Sequence, residues 1–134
     1  LADLYSIFVS MKIKELEKEK LDSYIDLLSL ESFIAITIED IQPVLDNNNG
    51  SVLDYSSDSP QRMKDVCEQI LINIKPFNYI CIFLLSNREF QPKVEEMDVL
   101  SNLINTFDSS IELILGFFID ETLGKKIRIV AFFY

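Results

Sequence analysis

Seven apolar residues in an unbroken row, Tyr79-Ile80-Cys81-Ile82-Phe83-Leu84-Leu85, constrain this chain more than any other feature. A strand sends alternate side chains to opposite faces of its sheet. A strand that is apolar at every position therefore has to be covered on both faces. The flanking sequence supplies amphipathic helices for such a cover. Ser59-Pro60 reads as a helix start with proline at the first helical position. Met63, Val66, Cys67, Ile70, Leu71 and Ile74 then recur at helical spacing up to Pro76. Past the loop at Ser86 to Gln91, Pro92 opens a second helix. Its apolar side is Val94, Met97, Leu100, Leu103, Ile104 and Phe107, and it ends at Asp108-Ser109-Ser110.

The remaining elements follow from turn chemistry. Asp46-Asn47-Asn48-Asn49-Gly50 is a strong turn signal, and Ser51 to Tyr55 after it reads as a short strand at a sheet edge. The last stretch is an apolar run from Ile111 to Ile119, an acidic step at Asp120-Glu121, a turn at Gly124-Lys125-Lys126, and a β-like run from Ile127 to Tyr134. Two such runs around a short glycine-containing connection read as a hairpin or a tight strand pair. The order after residue 50 is strand, helix, strand, helix, strand, strand. The expected fold is α/β, with a mixed sheet of about four strands flanked by two amphipathic helices.

Upstream, Leu1 to about Leu30 reads as helix, in one or two pieces. Leu4, Phe8 and Met11 form one stripe, and Leu21, Tyr24, Ile25 and Leu28 another. Between them, Lys12 to Lys20 alternates in charge, as a solvated helix face does. Phe33 to Ile38 reads as a short strand or extended loop. Thr37 or Asp40 caps the next helix. Pro43 favours the later start at Asp40, because proline suits a first turn and breaks a helix interior. The expected division is a helical segment over 1–32 and an α/β domain over 33–134.

Charge narrows the partners. Acidic residues number 22 against 12 basic, for a net charge of −10. Nucleic-acid backbones and anionic membrane surfaces call for clustered Lys and Arg, so neither is expected as a partner. Cys67 and Cys81 fall on apolar faces and read as small buried hydrophobes. No disulfide framework or zinc spacing is present, which fits a reducing cytoplasm. No apolar run approaches the roughly 18 residues that span a bilayer, and no signal peptide is recognised. The chain begins at Leu1 rather than Met, as a piece of a longer protein would.

The closing stretch, Gly116-x-x-Ile119-Asp120-Glu121-x-Leu123-Gly124-x-x-Ile127-Arg128-Ile129, resembles the end of the C-terminal domain of FtsZ, the bacterial relative of tubulin. The element order is also that of this domain. The match extends upstream: Asp26-Leu27-Leu28 with Phe33 to Leu45 resembles the end of the family's central helix and the loop after it. Ser57 to Ile70 looks like its polar turn and following helix, with Arg62 at the family's characteristic arginine. The resemblance spans about Asp26 to Tyr134.

That resemblance implies a cytoplasmic cytoskeletal protein of cell division. FtsZ binds GTP on an N-terminal domain and stacks into filaments, and the loop after the central helix of one subunit touches the nucleotide of the next. An Asn-x-Asp-x-x-Asp motif in that loop orients the attacking water. Phosphoryl transfer rests on such positioning and electrostatics. Here the family's Asn falls on Ala35 and its first Asp on Thr37, while the second Asp is kept as Asp40. Asp40, with Glu39 and Thr37 in the same loop, is the expected catalytic set of a degenerate loop; as a helix cap, Asp40 has an equally good reading. The glycine-rich phosphate loop has no counterpart among three scattered glycines, so no cofactor site is expected in this chain. GTP would belong to a parent protein or a neighbouring subunit. The implied partners are an FtsZ-like GTPase domain, a neighbouring subunit, or a second copy of the chain. Alternatively, the chain is a stand-alone FtsZ-like module that regulates filaments without hydrolysis.

Two further features have plainer readings. Asp120 and Glu121 are expected at a turn, paired with Lys125, Lys126 or Arg128, rather than around a metal. Phe117, Phe118, Phe132, Phe133 and Tyr134 are expected to supply core area.

Overall fold

A computed structural model describes residues 11–134. Its strands are β1 (Met11–Lys12), β2 (Ser32–Ile34), β3 (Ser51–Ser57), β4 (Tyr79–Ser86), β5 (Glu112–Ile119) and β6 (Ile127–Phe133). Its α-helices are α1 (Lys18–Ile25), α2 (Ile38–Asp46), α3 (Arg62–Asn73) and α4 (Val94–Asn105). Every residue of β4 is buried, as its unbroken apolar sequence requires.

All the strands form one mixed sheet in the order β1-β3-β6-β4-β5-β2. Among the described residues only β4 and β5 run parallel, and α4 makes the crossover between them. Among the described residues the sheet has six strands rather than about four. The additional strands are the short outer ones, β1 and β2. The expected hairpin of the closing stretch is also corrected. β5 and β6 do not pair; β4 lies between them, parallel to β5 and antiparallel to β6. The physical reason is that β4 is the strand with no polar face, so the arrangement that buries both its sides gives it the central place. The connection over 120–126 is long enough to step across it.

The sequence places helix where β1 lies, and this too is corrected. Met11 and Lys12 pair with Val52 and Ser51, and the Ile13 amide donates to the Gly50 carbonyl at 2.8 Å. Pairing with β3 overrides a local pattern that reads as helix. Helix begins at Lys18 and passes into a 3₁₀ turn at Asp26–Ser29. The Leu4 and Phe8 part of the proposed stripe lies outside the described residues.

Alternation along the strands feeds two cores. On one face Met63, Val66, Cys67 and Ile70 of α3, with Leu100 and Leu103 of α4, cover Ile80, Ile82, Leu84, Ile129 and Phe133. On the other, Tyr24, Leu27, Ile36, Ile41 and Val44 cover Cys81, Phe83, Leu85, Phe118 and Phe132. Phe83 stacks on Phe118 at 5.1 Å and meets Phe132 edge-on at 5.6 Å. Each fully buried phenylalanine contributes about 1.5–3 kcal/mol. Phe118, Phe132 and Phe133 thus do supply core, while Phe117 and Tyr134 are half-buried. Cys67 and Cys81 are free, buried, and in different cores. Burial pushes their thiols up to about 11 and about 12, which keeps them protonated and unreactive near neutrality.

Candidate functional site

The loop between β2 and α2 is built from the inside out. Ile36 is buried, and it lies directly against Gly116 in the middle of β5. A Cβ at position 116 would stand 2.5 Å from Ile36 Cγ1. The absent side chain of Gly116 is therefore what lets Ile36 dock, and Ile36 in turn fixes the start of Thr37 to Asp40. Glycine inside a strand often marks such a close approach.

Thr37 is the N-cap of α2, and its backbone is extended. Asp40, at the third helical position, reaches back: its Oδ2 accepts the Thr37 amide at 2.9 Å and the Thr37 hydroxyl at 3.3 Å. This is a reciprocal arrangement of the capping-box kind, with Asp in the place usually held by Glu or Gln. It sets the helix start at Ile38, two residues earlier than the late start favoured by Pro43. Pro43 consequently sits inside the helix. The loss of one helical hydrogen bond there is offset by the complete burial of Ile41 and Val44 on either side. A further anchor is Tyr79 of β4, whose hydroxyl donates to the Asp40 carbonyl at 2.6 Å. Burial, with Cys81 and Asp40 nearby, pushes the Tyr79 phenol up to about 12, so it stays a donor. Its ring stacks on Tyr134 at 5.5 Å.

The residues singled out by sequence thus lie together at one helix start. Thr37 and Glu39 are exposed, and Asp40 is half-buried. Only one Asp40 carboxylate oxygen is engaged; Oδ1 makes no hydrogen bond among the described residues. Capping through Oδ2 and orienting a water through Oδ1 are chemically compatible in this geometry. Beside the polar group, Ile38 and Ile34 are 40% and 49% exposed. The arrangement offers a rigid carboxylate with apolar surface around it, a suitable form for completing a site on another molecule. Among the described residues, no group of three or more His, Cys, Asp or Glu comes together as a metal site.

Arg62 has a different environment. Its Nε and Nη2 hold the Glu96 carboxylate at 2.7 and 2.9 Å. Nη1 donates to the Lys125 carbonyl at 2.8 Å and Nη2 to the Gln91 carbonyl at 3.3 Å. The guanidinium joins the starts of α3 and α4 to the connection before β6. Hydrogen bonds from Arg62 lower the Glu96 carboxyl from its ordinary value, against the effect of burial. Arg128 makes a second such pair with Asp54, at 2.8 and 2.7 Å, and the Tyr24 hydroxyl joins it at 3.0 Å.

Asp120 and Glu121 do not pair as the sequence reading expected. Asp120 Oδ1 accepts the Thr122 amide and hydroxyl at 3.0 and 2.6 Å. Glu121 lies 3.5 Å from Arg88. The reason is topological: β6 carries Arg128 beside β3 and Asp54, with β4 separating it from β5. Sequence reasoning also missed Ile36 and Tyr79 as the supports of the loop. The lone glycine inside the apolar run of β5 was the one visible signal for the first of them.

No protein-family model matches the chain, and no curated protein matches it. Solved structures do. An empty FtsZ dimer structure from M. jannaschii superposes with a TM-score of 0.62 at 17% identity, covering 90% of this chain and 40% of that one. The W319Y mutant of M. jannaschii FtsZ gives a TM-score of 0.62 at 17% identity, over 90% of this chain and 42% of the other. The chain spans about two fifths of the length of these FtsZ chains, and its fold is that of the FtsZ C-terminal domain. Among the described residues, no helix is long and apolar enough to cross a membrane.

Proposed function

We propose that the chain acts as the assembly-facing C-terminal domain of an FtsZ-like cytoskeletal protein in the cytoplasm. In this reading the β2–α2 loop supplies a filament contact and a degenerate hydrolysis-activating element for GTP held by a neighbouring subunit. Asp40 orients water through its unengaged oxygen, Thr37 fixes that carboxylate, and Glu39 adds a second negative charge at the rim. The supporting observation is the loop's geometry on this fold: Asp40, the one acid of the family's motif that this chain keeps, is held at a helix start beside the exposed Thr37 and Glu39. GTP enters as the substrate of the assembled site, with phosphate binding left to the partner surface.

The capping bonds between Asp40 and Thr37 favour a second reading. With Asp40 committed to the helix start, the chain is a filament-binding module that leaves hydrolysis to others. The substitution Asp40→Ala in the full protein, assayed for GTP turnover under assembling conditions, separates the two. The first reading expects turnover to fall by at least tenfold with polymer still formed. Unchanged turnover, with a loss of about 1 kcal/mol in stability from the missing cap, supports the second.

A further inference from the structure

We propose that the pocket between the asparagine turn (46–50) and the start of β4 binds a small phosphate-bearing anion. It lies at the opposite end of α2 from Thr37 and Asp40, with Asn47, the C-cap of α2, in its lining. The proposal goes beyond the filament reading and does not depend on it.

Strand register builds the floor of the pocket. Ser51 of β3 stands opposite Lys12 of β1 on one side and Phe133 of β6 on the other. Residues directly opposite one another share a face of the sheet, and Phe133 belongs to the core beneath α3. Lys12 is thereby carried on the α3 face. Lys75 reaches the same pocket from just beyond the end of α3, and Asn78 from just before β4. With Asn47 and Asn49 of the turn, these residues line a cavity of about 520 Å³. The frame is rigid. Gly50 is buried, a Cβ there would stand 2.0 Å from the Val44 carbonyl oxygen, and the Gly50 carbonyl accepts the Ile13 amide at 2.8 Å. The Asn78 amide donates to the Tyr134 carbonyl at 2.7 Å, and the Asn78 carbonyl accepts the Glu112 amide at 3.1 Å.

The side chains on this frame are unspent donors. Among the described residues Lys12 and Lys75 make no ion pair. Asn47 accepts the Asn49 amide at 2.8 Å through Oδ1 and keeps its Nδ2, and the side chains of Asn49 and Asn78 make no hydrogen bond among the described residues. The described lining holds no Asp or Glu, although the chain carries 22 acids against 12 bases. Asp46, beside the turn, is engaged along α2 and accepts from Gln42 at 2.8 Å. A lysine just past a helix C-terminus is favourable in its own right, and a lysine on an edge strand discourages further pairing. Neither role brings two lysines and three amide side chains onto one acid-free pocket. Cations in a concave site focus their field there. Two ammonium groups match the charge of a phosphate monoester, about −1.5 to −2 near neutrality, which a single carboxylate does not. The amide groups add neutral donors for the remaining oxygens. A cavity of this size falls within the range of small-ligand pockets, about 300–1,000 Å³, so the organic part of an ester has room beside the phosphate.

The test is an NMR titration of the isotope-labelled full chain with inorganic phosphate, phenyl phosphate and acetate, with chloride holding the ionic strength constant. Both phosphates should give saturable shifts at Lys12, Asn47, Asn49 and Asn78, and acetate should not. Tighter binding of phenyl phosphate assigns the pocket to a phosphate ester, and binding no tighter than that of inorganic phosphate assigns it to the free ion. Lys75→Gln, in the loop between α3 and β4, should weaken binding by about tenfold, the scale of one charge-assisted hydrogen bond, and Lys75→Arg should restore most of it. Asn49→Asp puts a negative charge into the pocket at constant shape, so it should abolish saturable binding while urea unfolding stays unchanged. Shifts that rise without saturating, that acetate reproduces, or that gather away from this pocket overturn the proposal. So does binding that Lys75→Gln and Asn49→Asp leave unchanged.

Discussion

Two acidic sites of this chain use their hydrogen bonds in opposite ways. Around Arg62, every nitrogen of the guanidinium donates to a protein acceptor, and both oxygens of Glu96 are occupied. At the start of α2, Asp40 uses one oxygen locally and leaves the other unbonded within the described residues, while Glu39 and Ile38 face outward. The first arrangement is saturated, so it can hold elements together but has little left to offer another molecule. The second is rigid and unsaturated. A strong interaction therefore marks architecture here, and incomplete satisfaction on a well-supported backbone marks the candidate site.

The largest effect should come from breaking the saturated site. Arg62→Ala is expected to cost about 2–3 kcal/mol in urea unfolding at neutral pH, between the values for exposed and fully buried pairs. The Arg62 and Glu96 side chains are 11% and 20% exposed. The cost should also depend on pH in a definite direction. Arg62 holds the folded-state carboxyl of Glu96 below its unfolded value. That contribution is present above about pH 4.3, the ordinary glutamate value, and is lost as pH falls through the lower folded-state value. The gap between wild type and Arg62→Ala should therefore narrow on acidification. A gap that is constant from pH 7 to pH 3 would show that the Glu96 pairing is not what the arginine contributes.

The second test asks what makes the unsaturated site rigid. Gly116→Ala places a methyl group 2.5 Å from Ile36 Cγ1, and overpacking of this kind costs typically about 1–3 kcal/mol. About 1–2 kcal/mol is expected here. The informative quantity is the coupling with Ile36→Ala. If Gly116 exists to seat Ile36, the double variant should be more stable than the sum of the single effects predicts, by roughly 1 kcal/mol. Strict additivity would separate the glycine from the loop.

Much of this architecture was legible in the sequence, and the reason can be traced to particular residues. Tyr79 to Leu85 demanded a strand covered on both faces. The apolar spacing from Met63 to Ile70 and from Met97 to Leu103 demanded two helices, because the period is a local property; that both lie on one face was not legible, and Val94, read on the apolar side, is 76% exposed. What sequence did not reveal was pairing. The insertion of β4 between β5 and β6, the capture of Met11 and Lys12 by β3, and the choice of Asp54 rather than Glu121 by Arg128 depend on residues far apart in the chain. The candidate site divides the same way. Thr37, Glu39 and Asp40 were visible because they adjoin one another. Their supports, Gly116 through Ile36 and Tyr79 through the Asp40 carbonyl, come from β5 and β4.

The smallest effect on stability carries the sharpest version of the contrast. Ile38 is the first residue of α2 and is 40% exposed. It contributes no polar bond to the cap, and surface substitutions away from caps and cores usually stay within about 0.5 kcal/mol. Ile38→Ser should therefore leave urea unfolding nearly unchanged. If the exposed helix start is a contact between subunits, the same substitution should reduce polymer recovered by sedimentation of the full protein with GTP. Removing an exposed apolar side chain from a fully desolvated interface costs association energy even when it costs the folded monomer nothing. Arg62→Ala should show the reverse pattern, with a large loss of stability and, at temperatures where it remains folded, little loss of polymer. An Ile38→Ser variant that unfolds more easily but assembles normally would make the helix start one more structural cap, and the contrast between the two acidic sites would then be one of degree.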